Sequence, residues 1–127
     1  MNYDQKALVR RYIEEVVNTG NLDRVADFVA ADGVESAKAH VRGVRTTYPD
    51  LHVTVISQIA EGDHVATRVI ARGTHAGPYL GVKPTNKPIS IEGVNIDQIR
   101  DGKIVEHWGA ANHLEALFEI GALGAHS

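Results

Sequence analysis

Residues 97–108 read Asp97-Gln98-Ile99-Arg100-Asp101-Gly102-Lys103-Ile104-Val105-Glu106-His107-Trp108. The pair Asp101-Gly102 lies between two runs in which apolar and polar residues alternate. Asp-Gly favours a two-residue type I′ turn, because that turn needs a positive φ at both central positions. The stretch therefore predicts a β-hairpin, and the rest of the chain is interpreted outward from it.

A two-residue turn fixes the pairing along the whole hairpin when the ladder is regular. Glu106 is then predicted opposite Asp97, and His107 opposite Ile96. Because side chains alternate between faces along a strand, this register predicts Asp97, Glu106 and Trp108 on one face and His107 with Ile96 on the other. Each face mixes apolar and polar residues, which is typical of a curved sheet with a core on one side and a contact surface on the other.

Length and composition restrict the class of protein. The chain has 127 residues, so we expect one domain over residues 1–127, and 43% of the residues are hydrophobic. The net charge of −3 argues against a nucleic-acid or anionic-membrane partner, and the lack of Cys excludes disulfides and thiolate metal sites. A polar N-terminus without a signal-peptide pattern, and the lack of a long apolar run, predict a soluble cytoplasmic protein.

The periodicity of apolar residues changes twice along the chain. Helical spacing over residues 4–18, 21–29 and 34–48 predicts three helices, the last of which ends before Pro49. A period of two then predicts strands over residues 51–60, 64–74, 89–100 and 103–111. A final helix is expected over residues 112–120, with Leu114, Leu117 and Phe118 turned inward. Helices that are separated from antiparallel strands predict an α+β fold.

Several motifs fall in order along the chain: Val9-Arg10-Arg11-Tyr12, Asn18-Thr19-Gly20-Asn21-Leu22, Arg72-Gly73-Thr74-His75, Gly77, Gly81, Pro84-Thr85, Lys87-Pro88, Ile96-Asp97 and residues 101–108. Together they resemble the SnoaL-like polyketide cyclase (ester cyclase) family over nearly the whole chain. The resemblance implies the nuclear-transport-factor-2-like fold, a cone in which N-terminal helices wrap a strongly curved antiparallel sheet around a pocket. It also implies homodimers packed through sheet surfaces.

The resemblance further implies a chemistry. In the characterised cyclases of this family, an intramolecular aldol condensation closes the last ring of a polyketide without a metal or organic cofactor, and an Asp shortly after the His-Trp pair acts as general acid/base. Here that position, the fourth residue after Trp108, is Asn112. A carboxamide cannot take a proton near neutral pH. The segment between the second and third helices is also shorter than in the family pattern, so we expect one wall of the pocket to be missing, or open to solvent or to a partner subunit.

The candidate site residues follow from this resemblance. As catalytic residues we expect His107, which would shuttle a proton, and Asn112, which would hold a substrate carbonyl or N-cap the last helix. The substrate, an apolar carbonyl compound such as a polyketide, would contact Tyr12, Trp108, Tyr79 and Arg68. The alternative interpretation of His107 is a structural histidine, and that of Tyr12 and Trp108 is core packing. The seven His residues do not form a metal motif, so no metal site is predicted.

Two other functions remain open on the sequence. One is a non-catalytic ligand-binding or dimerisation module that has lost its acid/base group. The weaker one is an epoxide hydrolase-like or dehydratase-like enzyme. Two facing carboxylates, Asp97 and Glu106, with Arg68 or Arg72 beside them, resemble the water-activating group of epoxide hydrolases of this fold. The alternative for that group is a salt-bridged sheet surface.

Overall fold

The chain forms helices, then an antiparallel sheet, then a last helix, as the sequence predicts for an α+β fold. The computed structural model describes residues 2–79 and 81–123. The helices are α1 (Asn2–Tyr12), α2 (Val25–Phe28), α3 (Val34–Thr47) and α4 (His113–Glu119). The strands are β1 (His52–Glu61), β2 (His64–Thr74), β3 (Pro88–Arg100) and β4 (Lys103–Ala111). Within the described ranges, the longest apolar helical stretch falls short of what a membrane crossing requires.

The first helix changes its winding before it ends. The sequence predicts one regular helix over residues 4–18, but α1 continues as a π-helical turn over Ile13–Val17. The backbone N–H of Asn18 donates to the carbonyl of Ile13 at 2.9 Å, which is the five-residue spacing of a π-turn. The side chain of Asn18 then bonds both backbone groups of Val53, at 2.7 and 3.0 Å. The turn therefore fixes the end of the helix against β1.

The second helical segment is short and is tied to the hairpin. It begins as a 3₁₀ turn over Leu22–Arg24 and continues as α2. Val29 then leaves the helix and forms a parallel bridge with Ile104 at the start of β4. The ammonium group of Lys103 donates to the carbonyls of Ala26 and Asp27 at the end of α2. These contacts join the tip of the β3–β4 hairpin to the helical layer.

The four strands form one antiparallel sheet in the order β1-β2-β3-β4. We call the side that faces the helices the inner face and the opposite side the outer face. Alternation along the strands buries one set of inner-face side chains under the helices: Val65, Thr67, Val69, Ile99 and Ile104. The hydrophobic effect on this face holds the two layers together.

The turn of the β3–β4 hairpin is the one predicted, but the ladder beyond it is not. Asp101 and Gly102 have φ values of 53° and 74°, as a type I′ turn requires, and Ile99 pairs with Ile104. The register then shifts, because Val105 is an extra residue in β4. An extra residue of this kind is a β-bulge, and it turns every following side chain to the other face.

The predicted register past the turn is therefore wrong. Asp97 pairs with His107, whereas Glu106 pairs with Gln98 and lies on the outer face. The facing pair of carboxylates expected from the sequence does not form. Instead, the bulge places a carboxylate and an imidazole opposite each other on the inner face.

Two apolar clusters form the core, one at each end of the inner face. The first lies under α1, α2 and α3 and contains Val9, Val16, Val25, Phe28, Val41, Val65 and Ile104, among others. The second lies at the start of β3, where Ile89 packs with Tyr48, Leu51, Ala116 and Leu117. Along β3 the inward residues between Ile89 and Ile99 include Asn95 and Asp97. Polar groups thus occupy the part of the inner face between the clusters.

The last helix buries less of its apolar surface than the sequence predicts. Ala116 and Leu117 are buried in the second cluster, but Leu114 is 67% exposed and Phe118 is 59% exposed. The inward orientation predicted for Leu114 and Phe118 is therefore wrong. The reason is that a helix of seven residues contacts the cluster along one narrow stripe, which two residues already fill.

One arginine connects the helical layer to the first strand. The guanidinium of Arg45, in α3, donates to four backbone carbonyls, those of Val17, Asn18, Pro49 and Leu51, at 2.9–3.3 Å. Hydrogen bonds from a charged donor are stronger than those between neutral groups. Arg45 thereby satisfies carbonyls at the end of the π-turn and in the connection that leads into β1.

We expect Arg45→Ala to lower the free energy of unfolding by about 1.5–3 kcal/mol, because several carbonyls would lose a charged donor. Arg42→Ala is the matched control, since Arg42 is an exposed arginine on the same helix, and its effect should stay within about 0.5 kcal/mol. Urea denaturation of the two variants measures the difference. Equal stability of the two variants would contradict a structural role for Arg45.

Candidate active site

The candidate site lies on the inner face, where β3 and β4 carry polar side chains between the two apolar clusters. Its centre is a hydrogen bond of 2.6 Å between Nδ1 of His107 and Oδ1 of Asp97. Asp97 is only 3% exposed, while the side chain of His107 is 49% exposed. The pair thus joins a buried carboxylate to an imidazole whose other edge is open.

The carboxylate determines the state of the imidazole. An ionised carboxylate only accepts hydrogen bonds, so Nδ1 of His107 must carry a proton and Nε2 is left to exchange one. The hydrogen bond to Asp97 raises the pKa of His107, and partial burial opposes that rise. His107 can therefore hold a proton on Nε2 near neutral pH and donate it as a general acid.

Tyr12 approaches the same carboxylate from α1. Burial raises the pKa of Tyr12 to about 12, and the charge of Asp97 contributes to the rise. Its phenol therefore keeps its proton at any working pH. The ring packs edge-on against Phe28, with the ring centroids 5.8 Å apart. The structure thus places Tyr12, as predicted, on the helix that covers the sheet and near the site.

Two residues that the sequence did not single out complete the floor of the site. Asn95 precedes Asp97 by two residues and pairs with Gly109 of β4. A Cβ atom added at Gly109 would lie 2.8 Å from Oδ1 of Asn95 and 3.8 Å from Nε2 of His107. Only a glycine therefore lets the amide of Asn95 lie over β4 next to the imidazole. The sequence did carry a signal for Asn95, because it is a polar residue at an inward position of a strand.

A second imidazole faces the first from the helical layer. His40, in α3, has its ring centroid 6.5 Å from that of His107, with the ring planes at 49°. Burial of the imidazole lowers the pKa of His40, and the neighbouring His107 lowers it further. The sequence did carry a signal for His40, because it follows Ala37 by three residues and precedes Val44 by four, within the apolar stripe of the helix.

The site is open to solvent, and we call the inner face around Asp97, His107 and His40 the open cleft. All six residues from 106 to 111 of β4 are exposed, although three of them face inward. The connection between α2 and α3 is reduced to Val29, Ala30 and a 3₁₀ turn over Ala31–Gly33. The connection is as short as the sequence indicates. Water therefore reaches His107 directly.

Asn112 is not brought to His107. Asn112 lies five residues after His107, which is roughly 16 Å of extended chain. Its Oδ1 accepts the backbone N–H of Glu92 at 2.8 Å, and its own N–H donates to the Glu92 carbonyl at 3.0 Å. Asn112 precedes α4 as an N-cap residue, but its side chain makes no cap hydrogen bond. The amide therefore extends the β3–β4 ladder by one more pair of bonds.

Two of the predicted substrate contacts lie on the outer face. Trp108 is 49% exposed there and stacks on His64, with ring centroids 6.2 Å apart. Arg68 pairs with Glu92 at 3.2 Å on the same face. The bulge at Val105 explains the placement of Trp108, because it turns His107 inward and its neighbour outward. Neither residue lines the cleft that holds His107.

Tyr79 belongs to a separate group near the start of α4. Its ring lies 4.6 Å from that of His113, whose Nε2 accepts the hydroxyl of Tyr48 at 2.5 Å. Burial lowers the pKa of His113, with a smaller contribution from His75. The ring of His113 is therefore kept neutral, and its Nε2 can accept the hydrogen bond from Tyr48. This group packs α4 on the second cluster and is not part of the cleft.

The described residues also bear on metal binding. Over residues 2–79 and 81–123, no group of three or more His, Asp or Glu side chains is placed to hold a metal ion. The pair of Asp97 and His107 offers the cleft a single free imidazole nitrogen. The arrangement is suited to moving protons.

Comparison with known proteins assigns this chain to a family. The model of the SnoaL-like polyketide cyclase family matches residues 7–120. This chain belongs to that family. Its SnoaL-like fold is the nuclear-transport-factor-2-like cone that the sequence implied.

Individual relatives agree with this assignment. The aklanonic acid methyl ester cyclase AcmA of Streptomyces galilaeus is 29% identical over 118 residues, which cover 82% of this chain and 81% of the relative. The corresponding cyclase DnrD of Streptomyces peucetius is 27% identical and covers 90% and 88%. The crystal structure of AclR from Streptomyces galilaeus superposes with a TM-score of 0.84 at 28% identity, covering 100% of this chain and 87% of AclR.

We expect Asp97→Asn to lower the pKa of His107 to its ordinary value of about 6.5 or below, because the anion that stabilises the imidazolium is lost. In the wild type, the stability from this pair is fully present below the unfolded-state pKa and is lost as the pH rises through the higher folded-state pKa. NMR titration of the histidine Cε1–H resonances measures the shift, with His52, an exposed residue of β1, as the internal control. An unchanged pKa of His107 would contradict the role of Asp97.

Proposed function

We propose that this SnoaL-like protein closes a ring in a polyketide methyl ester by an intramolecular aldol condensation. The observation that carries the proposal is the 2.6 Å hydrogen bond between His107 and the buried Asp97 in an open cleft. The cyclase relatives AcmA and DnrD, named for aklanonic acid methyl ester, support the choice of substrate class. The reaction moves protons and forms one carbon–carbon bond, so it requires no redox cofactor.

The proposed roles follow the geometry of the cleft. The attacked ketone oxygen gains negative charge as the new bond forms, and the protonated Nε2 of His107 would give that oxygen a proton. Asp97 orients the ring and stabilises the imidazolium, as a carboxylate does behind a catalytic histidine. The amide of Asn95, which has no protein hydrogen-bond partner within the described residues, would hold a substrate carbonyl.

The structure favours this function over the hydrolase-like alternative. Water activation by two carboxylates requires Asp97 and Glu106 on one face with an arginine, whereas Glu106 and Arg68 both lie on the outer face. The non-catalytic binding module keeps the same cleft and differs only in turnover. Binding without ring closure is therefore the outcome that would identify it.

The test is ring closure of aklanonic acid methyl ester by the purified protein. The product is an isomer of the substrate, so chromatography and NMR follow it at constant mass. We expect His107→Gln to lower kcat by about 100-fold or more, which is the usual contribution of general acid–base catalysis. We expect a smaller loss in Asp97→Asn, because the imidazole stays but its protonated state is less populated.

The variant Asn112→Asp tests whether catalysis depends on the site at His107 or on position 112, where the family has a carboxylate. The carboxylate oxygen can still accept the Glu92 N–H, so the variant should fold, and kcat should stay within a few-fold of wild type. A large gain in the rate for Asn112→Asp would show that catalysis belongs at position 112 instead. Tight binding of the ester with no ring closure in the wild type would overturn the cyclase proposal and leave the binding module.

We also propose that two copies of the chain pair through the outer face of the sheet. A row of cross-strand partners runs over all four strands there, from Ile59 through Ala66 and Ile96 to Trp108. Ile59 is 73% exposed and Ile96 is 41% exposed. A contiguous apolar patch of this kind marks an interaction surface, and the sheet-to-sheet homodimers implied by the family resemblance would cover it.

Ile96→Lys should convert the dimer to monomer, because it places a charge at the centre of the proposed interface. Ala7→Lys is the matched control, since Ala7 is exposed on α1 and the same charge is added away from the outer face. Sedimentation equilibrium measures both variants and the wild type. A wild type that stays monomeric over the whole concentration range would contradict the proposal.

A further inference from the structure

A second titratable group faces the candidate site from α3. The rings of His40 and His107 lie 6.5 Å apart between centroids, one on the helical layer and one on the sheet. Within residues 2–79 and 81–123, neither ring nitrogen of His40 has a protein hydrogen-bond partner, and Nε2 of His107 has none either. The two imidazoles thus lie next to each other, and both offer ring nitrogens that are free to meet a substrate.

The two imidazoles are not equivalent. Two imidazolium ions this close repel each other. Near neutral pH the pair therefore favours a state in which one ring is protonated and the other is neutral. Asp97 bonds only His107, and it therefore draws that proton to His107 and leaves His40 neutral. Tyr12 from α1 also lies close enough to Asp97 to sense its charge, and it stays an uncharged phenol.

The directions of the pKa shifts agree with this assignment. The hydrogen bond from Asp97 raises the pKa of His107, while burial and the nearness of His107 lower the pKa of His40. When two neighbouring groups are shifted apart in this way, one serves as acid and the other as base at the same pH.

We propose that His40 is the catalytic base of the cyclisation and works beside the protonated His107. This inference rests on the proposed function and assigns the base that the reaction needs. The carboxylate expected at the position of Asn112 is not available, and Asn112 is engaged with the backbone of Glu92. His40 supplies a proton acceptor from the other layer of the fold.

Each proton that moves in the ring-closing step has a donor and an acceptor. A neutral ring nitrogen of His40 takes the proton from the acidic carbon beside the substrate carbonyl groups, and the C–H electron pair becomes an enolate. The enolate carbon attacks the ketone carbon, and the π pair of that C=O takes the proton from Nε2 of His107. One C–C bond and one O–H bond form, and one C–H bond and one C=O π bond break. Water in the open cleft then returns a proton from His40 to His107.

The inference can be tested apart from ring closure, because deprotonation alone exchanges the acidic carbon with solvent. The probe is aklanonic acid methyl ester in D₂O, with deuterium in recovered substrate measured by mass spectrometry. We expect His107→Gln to close the ring slowly but still to catalyse exchange above the buffer rate. We expect His40→Gln to lose both ring closure and exchange, by about 100-fold or more. His52→Gln, a change at an exposed histidine of β1, is the matched control and should behave as wild type.

Two further measurements distinguish a base from a structural residue. Added imidazole should restore exchange in His40→Ala, because the cleft is open to solvent, and it should not stimulate wild type. The acidic limb of the kcat/KM pH profile should disappear in His40→Gln, while the alkaline limb, set by His107 with Asp97 and Tyr12 around it, should remain.

The outcomes separate this inference from the function on which it rests. Ring closure and exchange at wild-type rates in His40→Gln would overturn the role of His40 and leave the cyclase intact. A loss of activity in His40→Ala that imidazole does not restore would also overturn it, because a missing base in an open cleft can be replaced. A wild-type protein that neither closes the ring nor exchanges the carbon would overturn the proposed function, and the role of His40 with it.

Discussion

The extra residue in β4 is the constraint on which the site depends. Without Val105 as a bulge, the type I′ turn at Asp101-Gly102 would place His107 on the outer face and Trp108 on the inner one. With it, His107 meets Asp97 across the ladder and its indole neighbour turns outward. A single inserted residue thus sorts two adjacent side chains into two different surfaces, the cleft and the patch on the outer face. The hairpin is anchored to α2 through Val29 and Lys103 just before the bulge, so the change of register begins from a fixed point.

The sequence predicts the layers well and the ladder poorly, and the reason is physical. The order of elements, the turn and the importance of His107 follow from periodicity, turn chemistry and the family motifs. A bulge leaves no such pattern, because Val105 fits an alternating strand as well as any apolar residue does. Because the bulge at Val105 is not predicted, the register expected from the sequence pairs Asp97 with Glu106. His40 was missed for another reason, since it contacts the site across two layers and only its place in the apolar stripe of α3 indicates that it faces inward.

Asn112 shows how a family position can change its role while the fold is kept. Its side-chain oxygen accepts a backbone N–H and its own N–H donates to the same residue, so the amide acts as one more step of the β3–β4 ladder. A carboxylate there could accept the same bond, but it could not act as a base while it did so without weakening the ladder. The chemistry and the support of the strand end compete for the same oxygen atoms. In this chain the support of the strand is what the geometry shows at position 112.

The openness of the cleft explains why imidazoles suit this site better than a lone carboxylate. A carboxylate in contact with water has a pKa near 4, and only burial or a neighbouring charge raises it toward the pH at which a base works best. Residues 106–111 of β4 are exposed, so a carboxylate on this part of the strand would be only partly desolvated. Histidine has a pKa of about 6.5 without any burial. A buried Asp97 then needs only to bias one of the two imidazoles toward the protonated state. This is possible in a site that is open to water, whereas a carboxylate would need burial or a neighbouring charge to act as a base there.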